Sequence, residues 1–462
     1  MVLSGTDTTR AIGQPTLTRY ARDVGKLSGM TALRIISSSD LGATVVPLPA
    51  SFGEYGTCAG IESMFEASQR TVVWLDVGDL VVGSPATPLL GERPWSEVAD
   101  LPIAAAAVGN HEFDDGLDAL HDAVPKLRFP LLCANADAGL PATATVDTAA
   151  GGVGVIGLTH PQIHRSSQGP RPADDWRVGE LARELRAGGA RWVVALLHDG
   201  VEWWPSGGGI ATRADRLEAL VRPWAADVDV ILCGHNFGAW TGTLAGTPAG
   251  QPYLFASSVV VVDLGDDVVV RGVERVTPER PRSQSAAVTA IDAAAADVVG
   301  ESAHTWLART GAKRYLPDLL ARALRDATGA DAALVPPGMH GTQPPIDGAV
   351  GALRAGPVTQ LDLVRLLPSP EYDPIVVELQ PGELARAVAA HDQAADPSNR
   401  ETDGIWWNWC RMPAGVSLGD DEPRTLAVVP FATRMLSEWL GRDVEGESAG
   451  VNAHAALLRA AR

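Results

Sequence analysis

A chain of 462 residues is longer than one ordinary hydrophobic core requires, so we expect two domains. Its formal net charge is −19 and no basic stretch offsets it, which argues against nucleic acid as a partner. Since no apolar run is long enough to span a bilayer, we also predict no membrane partner. Residues 1–28 are polar and lack the apolar core of a signal peptide, so we expect a cytoplasmic protein.

The chain after residue 30 alternates predicted strands with helices or loops. Helical spacing of apolar residues covers residues 61–70, between the first two strands. The predicted strands of this half cover residues 32–36, 71–75, 103–108, 131–135, 152–158, 192–197, 228–232, 253–264 and 268–276. Such an alternation is typical of an α/β domain.

Polar residues stand directly after five of these strands. They are Asp40, Asp79, the pair Asn110 and His111, His198 and His235. Ligands of α/β sheets bind outside the carboxyl ends of the strands, so we expect these side chains to meet. Each of them alone could be a turn residue or a buried histidine. Together, their oxygen and nitrogen atoms predict a divalent metal site.

The composition changes over residues 278–286, which are rich in proline, arginine and serine and predict a linker. An alanine-rich helix is predicted over residues 286–300. Helices at 316–328 and 382–391 then alternate with strands at 332–335, 375–379 and 425–429. The predicted units are a lead-in over 1–30, a metal-binding domain over 31–277, a linker with its helix over 278–305 and a second domain over 306–462.

Three motifs make the chain similar to a known family, the two-domain 5′-nucleotidases. The motifs are Gly78-Asp79-x-x-x-Gly83, Gly109-Asn110-His111-Glu112-Phe113-Asp114 and Gly234-His235. Fainter likeness covers residues 327–333 and 376–384. The resemblance implies a calcineurin-like metallophosphoesterase domain, built as a four-layer αββα sandwich. It also implies a smaller α/β C-terminal domain that binds the substrate.

The family holds two metal ions, and this sequence keeps the complete ligand set of one. By resemblance, the ligands of that ion are Asp79, Asn110, His198 and His235. Two oxygen and two nitrogen ligands suit Mn²⁺, Zn²⁺, Fe²⁺ or Co²⁺ and leave positions open for substrate or water.

The ligand set of the other ion is incomplete. Asp40 and the bridging Asp79 remain, whereas Gly42 and Phe237 stand where the family has histidines. Two carboxylates alone make a poor zinc site, so we predict one divalent metal ion per chain. Substitute ligands for the second ion could come from Glu54, His160 or His164.

The resemblance also implies the residues that act on the substrate. His111 matches the family's catalytic histidine, and Asp114 would orient it, so that the ring stabilises the phosphoryl group or protonates the leaving oxygen. In the second domain, Gly341 stands where the family has a substrate-binding arginine. The predicted substrate-binding residues are Phe237, His340, Phe431 and Trp407.

These residues predict a one-metal hydrolase of a small phosphate ester, nucleotide- or sugar-phosphate-like, in a specialised biosynthetic pathway. Two alternatives stay open. One is a metal-dependent enzyme retooled for a lyase, transferase or redox reaction on a nucleoside- or sugar-like substrate, because two histidines with one carboxylate resemble the ligands of non-haem iron oxygenases. The other is a non-catalytic binding protein on the same scaffold.

Overall fold

The computed structural model describes residues 33–50, 53–68, 70–163, 167–206, 209–236, 238–307, 312–335, 352–394 and 422–462. The predicted lead-in over 1–30 lies outside these ranges. Within them, no helix combines the length and the apolar character needed to cross a membrane.

Two six-stranded sheets form the first half of the described chain. The strands of this half are β1 Leu33–Ser38, β2 Pro49–Ala50, β3 Gly53–Glu54, β4 Val72–Asp76, β5 Ile103–Ala107, β6 Leu131–Leu132, β7 Thr143–Val146, β8 Gly152–Leu158, β9 Ala190–Leu197, β10 Glu202–Ser206, β11 Gly209–Arg213, β12 Val230–Cys233, β13 Trp240–Leu244, β14 Thr247–Gln251, β15 Ser258–Leu264 and β16 Val268–Arg275. Of these, β2 pairs only with β3, and β10 pairs only with β11. One sheet has the order β16-β15-β1-β4-β5-β6, and the other has the order β13-β14-β12-β9-β8-β7. The helices of this half are α1 Cys58–Ala67, α2 Ala86–Leu90, α3 Gly116–Ala123, α4 Val178–Ala187 and α5 Asp215–Val221.

The two sheets lie face to face, with helices on their outer faces. Successive side chains of a strand point to opposite faces, so one strand serves two layers. In β1, Ile35 packs in the core between the sheets, and Ile36 packs outward with Phe65 of α1. On the far side, Leu185 of α4 and Leu217 of α5 cover the second sheet. The predicted four-layer αββα sandwich is confirmed.

The second half of the chain contains a smaller four-stranded sheet. The strands of this half are β17 Val298–Ser302, β18 Trp306–Leu307, β19 Ala332–Leu334, β20 Ala352–Leu353, β21 Gly356–Thr359, β22 Ile375–Leu379, β23 Arg424–Val428 and β24 Gly446–Ser448. The four-stranded sheet has the order β19-β23-β22-β24, while β17 pairs with β21 and β18 with β20. The helices are α6 Ala286–Ala296, α7 Leu316–Thr328, α8 Gln360–Leu366, α9 Glu383–Ala394, α10 Ala432–Leu440 and α11 Ala453–Ala461. One apolar core joins this sheet to helices α7, α9, α10 and α11, which confirms the smaller α/β unit.

The alanine-rich helix is shorter than predicted. The helix α6 begins after Ser285, whose side chain accepts a hydrogen bond from the Val288 N–H group, and it ends at Ala296. The expected continuation to residue 300 is wrong, because Val298–Ser302 pairs with β21 as a strand. Two valines and a glycine at 298–300 favour that outcome, since both residue types are weak helix formers.

Candidate metal centre

The carboxyl ends of six parallel strands meet at one edge of the sandwich. Strands β1, β4 and β5 are parallel neighbours in one sheet, and β8, β9 and β12 are parallel neighbours in the other. The polar residues that follow them are Asp40, Asp79, Asn110, His160, His198 and His235. Sheet topology alone therefore brings side chains from distant parts of the sequence to one place.

Three of these residues form a compact group of metal-ligand type. The group consists of Asp79, His198 and His235, each of which offers one ligand atom, and these atoms all lie within 4.8 Å of one another. The side-chain oxygen of Asn110 faces the same point, 3.1 Å from Nε2 of His198. Asp79, Asn110 and His198 are almost completely buried. The four residues that the sequence nominates as ligands are thus brought together.

The chemistry of this group fits a bound cation. His198 donates its Nδ1–H to the Val77 carbonyl oxygen at 2.8 Å, so Nε2 faces the other ligands. Nε2 lies 3.2 Å from Oδ2 of Asp79 and 3.1 Å from Oδ1 of Asn110. Three electron-rich atoms at these distances need a cation, which is either a metal ion or a proton. Burial opposes protonation, yet the Asp79 carboxylate raises the pKa of His198 to about 10.

A buried carboxylate shapes the loop that carries Asp79. Glu112 accepts hydrogen bonds from three backbone N–H groups, those of Asp79 at 2.9 Å, Leu80 at 2.8 Å and Gly109 at 2.6 Å. Burial and the charge of Asp79 raise the pKa of Glu112 to about 7. Gly109 must be a glycine, since a Cβ atom there would lie 2.1 Å from Oδ1 of Asp79. The Gly109–Asp114 motif therefore supports the loop of Asp79 as well as supplying the candidate ligand Asn110.

His111 and Asp114 form a hydrogen-bonded pair beside the ligand group. Nδ1 of His111 lies 2.7 Å from Oδ2 of Asp114, and the backbone N–H of His111 donates to Oδ1 of Asp79 at 3.0 Å. Burial opposes the charge, but Asp114 and Asp79 raise the pKa of His111 to about 9. Arg93 approaches Asp114 at 3.5 Å and also pairs with Asp115. Sequence reasoning missed Arg93, which belongs to no motif.

On the opposite side of the candidate centre, Asp40 is held by hydrogen bonds and Gly42 is packed against an aromatic ring. Oδ2 of Asp40 accepts hydrogen bonds from the His235 backbone N–H at 2.9 Å and from the Ser39 hydroxyl at 2.5 Å. Burial raises the pKa of Asp40 to about 6, with a further rise from Asp79 and an opposing effect of His198. At Gly42, a Cβ atom would lie 2.7 Å from Cδ1 of the fully buried Phe255. An aromatic ring thus borders the position where the family carries a histidine.

Backbone strain is concentrated at this centre. Four non-glycine residues there have positive φ angles, namely Asp40 at 52°, Asp79 at 58°, His235 at 65° and Phe255 at 55°. Such conformations cost about 1–2 kcal/mol each, and proteins retain them chiefly at functional sites. The strain supports a functional role for this edge of the sandwich.

A family model for calcineurin-like phosphoesterases matches residues 33–236. These residues are a calcineurin-like phosphoesterase domain. The chain is 24% identical over 467 residues to Endonuclease YhcR of Bacillus subtilis, with 86% of this chain and 37% of that protein covered. It is 26% identical over 285 residues to the 2′,3′-cyclic-nucleotide 2′-phosphodiesterase/3′-nucleotidase of Salmonella typhimurium, with 50% and 43% covered. The chain therefore spans about two fifths of the length of these curated relatives.

The described residues have a fold similar to that of a 5′-nucleotidase. The structure of a 5′-nucleotidase precursor from Thermus thermophilus superposes with a TM-score of 0.70 at 19% identity and covers 93% of this chain and 96% of that one. This likeness confirms the predicted fold, and the phosphoesterase match over residues 33–236 agrees with the predicted resemblance to two-domain 5′-nucleotidases.

The other predicted site residues lie partly outside the described part of the chain. Phe431 is 42% exposed, and its ring meets Tyr372 edge to face with the centroids 5.4 Å apart. The remaining substrate-binding predictions, Phe237, His340 and Trp407, lie outside the described residues. Among the substitute ligands considered, Glu54 is exposed, and His164 lies outside the described residues.

His160 lies closest to the ligand group among the substitute ligands that the structure describes. Its ring contacts the ring of His235, with centroids 4.2 Å apart and planes inclined by 35°. Burial lowers the pKa of His160 to about 4. Next to it, Asp199 binds Arg216 through two hydrogen bonds of 2.9 and 2.6 Å. The position of His160 directly after β8 is a feature of the sequence that could have indicated its place beside the ligand group.

Proposed function

We propose that this chain is a metal-dependent hydrolase of phosphate esters that works with a single divalent ion. The ligands would be Asp79, Asn110, His198 and His235. The observation that carries the proposal is the group of Asp79, His198 and His235, whose ligand atoms lie within 4.8 Å of one another beside the His111–Asp114 pair. Mn²⁺, Zn²⁺, Fe²⁺ and Co²⁺ all suit such a set of nitrogen and oxygen ligands.

The roles of the side chains follow from their positions. Asp79, Asn110, His198 and His235 would hold a divalent ion, which would supply Lewis-acid polarisation of a phosphoryl oxygen. His111 is held by Asp114 through Nδ1, so its Nε2 is the atom that carries a proton to the leaving oxygen or stabilises the phosphoryl group. The main-chain N–H of His111 binds Asp79, which couples the acid to the ligand group. Arg93 also pairs with Asp114, at 3.5 Å.

Two contacts support a single ion rather than two. Oδ2 of Asp40 already accepts two hydrogen bonds, from Ser39 and from the His235 backbone. The ring of Phe255 packs against Gly42, so its carbon atoms occupy the space that a histidine side chain at position 42 would need. The Asp40 hydrogen bonds and the Phe255–Gly42 contact both lie on the side of the second ion, so the remaining ligand set can hold one ion. A one-ion enzyme lacks the pair of ions that would bind both the attacking and the leaving oxygen.

For the substrate, we propose a small nucleotide- or sugar-phosphate-like ester. The curated relative from Salmonella typhimurium is named for cyclic-nucleotide phosphodiesterase and 3′-nucleotidase activities, which favours a nucleotide-like ester. The altered second domain and the cytoplasmic location expected from the sequence agree with a role in a specialised biosynthetic pathway. The high negative charge supports a small-molecule substrate over nucleic acid.

A second candidate is a non-hydrolytic metal enzyme acting on a nucleoside- or sugar-like substrate. The observation in its favour is the close group of two histidines and one carboxylate, a ligand set shared with non-haem iron oxygenases. Asn110 as a fourth ligand favours hydrolysis instead. A non-catalytic binding protein is disfavoured by the intact His111–Asp114 pair.

The deciding experiment combines metal analysis with an assay of phosphate release. The purified chain is loaded separately with Mn²⁺, Zn²⁺, Fe²⁺ and Co²⁺, the bound metal is counted by mass spectrometry, and a panel of nucleotide and sugar phosphates is tested. We expect one tightly bound ion per chain and metal-dependent phosphate release. Two tightly bound ions would contradict the one-metal proposal. Turnover that needs Fe²⁺ and O₂ without phosphate release would favour the second candidate.

A further inference from the structure

The ring of His160 lies against the ring of a proposed metal ligand. Their centroids are 4.2 Å apart and their planes are inclined by 35°, so the contact is between ring faces. His160 is 2% exposed, which makes the contact part of the interior. His198 also meets His235, but edge to face and with the centroids 5.3 Å apart. The face of His235 is therefore covered by His160.

One nitrogen atom of His160 is engaged by the backbone. Its Nδ1 accepts a hydrogen bond from the Gln162 backbone N–H at 3.2 Å, so that atom is already in use. The ligand atoms that lie within 4.8 Å of one another come from Asp79, His198 and His235. Since His160 lies beside that group and outside it, the geometry favours a supporting role over a fifth ligand.

The backbone that carries His160 is firmly held. The side chain of Asn135 bonds the Thr159 N–H at 2.9 Å and the Thr159 carbonyl at 2.8 Å. The Thr159 hydroxyl donates to the Gly109 carbonyl oxygen at 3.2 Å, which ties β8 to the loop of Asn110. Thr159 and Asn135 are fully buried. A ring on such a rigid segment can fix the orientation of its neighbour.

His235 needs such support because it stands in a strained loop. Its φ angle is 65°, and its backbone N–H is held by Asp40 at 2.9 Å. This bond fixes the main chain of His235, and the ring of His160 covers one face of its side chain. We propose that His160 is a positioning residue that stacks on His235 and aims its imidazole at the metal ion. The inference rests on the proposed metal centre and assigns the residue that orients one of its ligands.

The test separates the ring of His160 from its nitrogen atoms. His160→Phe keeps an aromatic face, whereas His160→Leu fills a similar volume without one. The dissociation constant of Mn²⁺ is measured by calorimetry, and the visible absorption of the Co²⁺-loaded chain reports the ligand geometry. His121→Leu removes a histidine on α3, where Nε2 donates to the Ala138 carbonyl oxygen, and serves as the matched control. Thermal unfolding of the metal-free variants shows whether each one folds.

We expect His160→Leu to weaken Mn²⁺ binding about 10-fold and to alter the Co²⁺ spectrum, as changes behind metal ligands commonly do. His160→Phe and His121→Leu should stay within about 3-fold of the wild type, a small part of that 10-fold effect. Equal losses in the Phe and Leu variants would overturn the inference, because they would show that a nitrogen atom of His160 is needed. Unchanged affinity in the folded Leu variant would overturn it as well. A wild-type chain that binds no divalent ion would instead contradict the proposed function.

Discussion

Phe255 occupies the space in front of Gly42, so that a Cβ atom at position 42 would lie 2.7 Å from Cδ1 of Phe255 and 2.7 Å from the Val82 carbonyl oxygen. The Phe255 ring is fully buried, and its backbone N–H donates to the Asp40 carbonyl oxygen at 2.8 Å. The main chain of Phe255 is therefore held by the same segment that carries Gly42. Gly42 and Phe255 act as a complementary pair.

This pairing predicts that position 42 tolerates nothing larger than glycine. Gly42→Ala should lower the free energy of unfolding by about 2–4 kcal/mol, since it adds steric overlap to the strain of a positive φ of 55°. Gly91→Ala is the matched control, because Gly91 has a φ of 73° and no atom within 4 Å of the added carbon. Denaturation with urea measures both. If Gly42→Ala cost no more than Gly91→Ala, the tight contact would be wrong.

The same contact changes how a second metal site could be restored. Gly42→His alone should fail to create one, because the new side chain has no room beside Phe255. Combining it with Phe255→Ala should remove the ring contact but not the contact with the Val82 carbonyl oxygen, so we expect at most a weakly bound second ion, which metal counting by mass spectrometry would reveal. A second ion in the single Gly42→His variant would contradict the assignment of Phe255 as the blocking residue.

Glu112 offers a second test, because one carboxylate serves three backbone N–H groups. In Glu112→Gln, the NH₂ group of the amide cannot accept a hydrogen bond, so at least one buried N–H loses its acceptor. We expect a loss of about 1–3 kcal/mol in the free energy of unfolding and weaker metal binding, since the Asp79 loop depends on these bonds. Glu447→Gln, on the exposed strand β24, is the control. Equal stability of the two variants would contradict the structural role of Glu112.

The strands and the polar residues at their ends could be predicted from the sequence because each depends on neighbouring residues. An apolar run followed by Gly-Asp or Gly-Asn-His is a pattern within a few residues, and parallel pairing places such ends together. The contacts of Phe255 with Gly42, His160 with His235 and Arg93 with Asp114 join segments that share no local pattern. Packing chooses those partners, so they emerge only in three dimensions.

A third prediction concerns the stability of the sandwich in acid. Burial opposes ionisation, yet hydrogen bonds from Arg34 and Arg271 hold the pKa of Asp263 below its ordinary value. A lowered folded-state pKa contributes stability above the unfolded pKa of about 3.9, and this stability disappears as the pH falls through the folded pKa. Asp263→Asn should therefore cost about 1–2 kcal/mol at neutral pH, and the difference from the wild type should shrink below about pH 4.

Asp266→Asn is the control for this acid effect. Asp266 pairs with Arg191 at 3.2 Å on the open surface, where solvent screens the interaction. Urea denaturation from pH 7 to pH 3 measures both variants against the wild type. A constant difference between wild type and Asp263→Asn across this range would show that the Asp263 charge does not contribute as proposed.

The last prediction separates the acid from the metal ligands. His111 touches Asp79 only through its backbone N–H, at 3.0 Å, in the bonds that the structure shows. His111→Ala should therefore keep the bound ion while kcat for phosphate release falls by about 10²–10⁴-fold, the usual contribution of a general acid. Asp114→Asn should lower kcat less, since the ring remains but loses its charged partner. His235→Ala, in contrast, should lose the metal itself. Metal counting alongside steady-state kinetics distinguishes these outcomes, with His121→Ala as the control. Loss of the ion in His111→Ala would mean that the imidazole belongs to the metal site and not to the proton-transfer step.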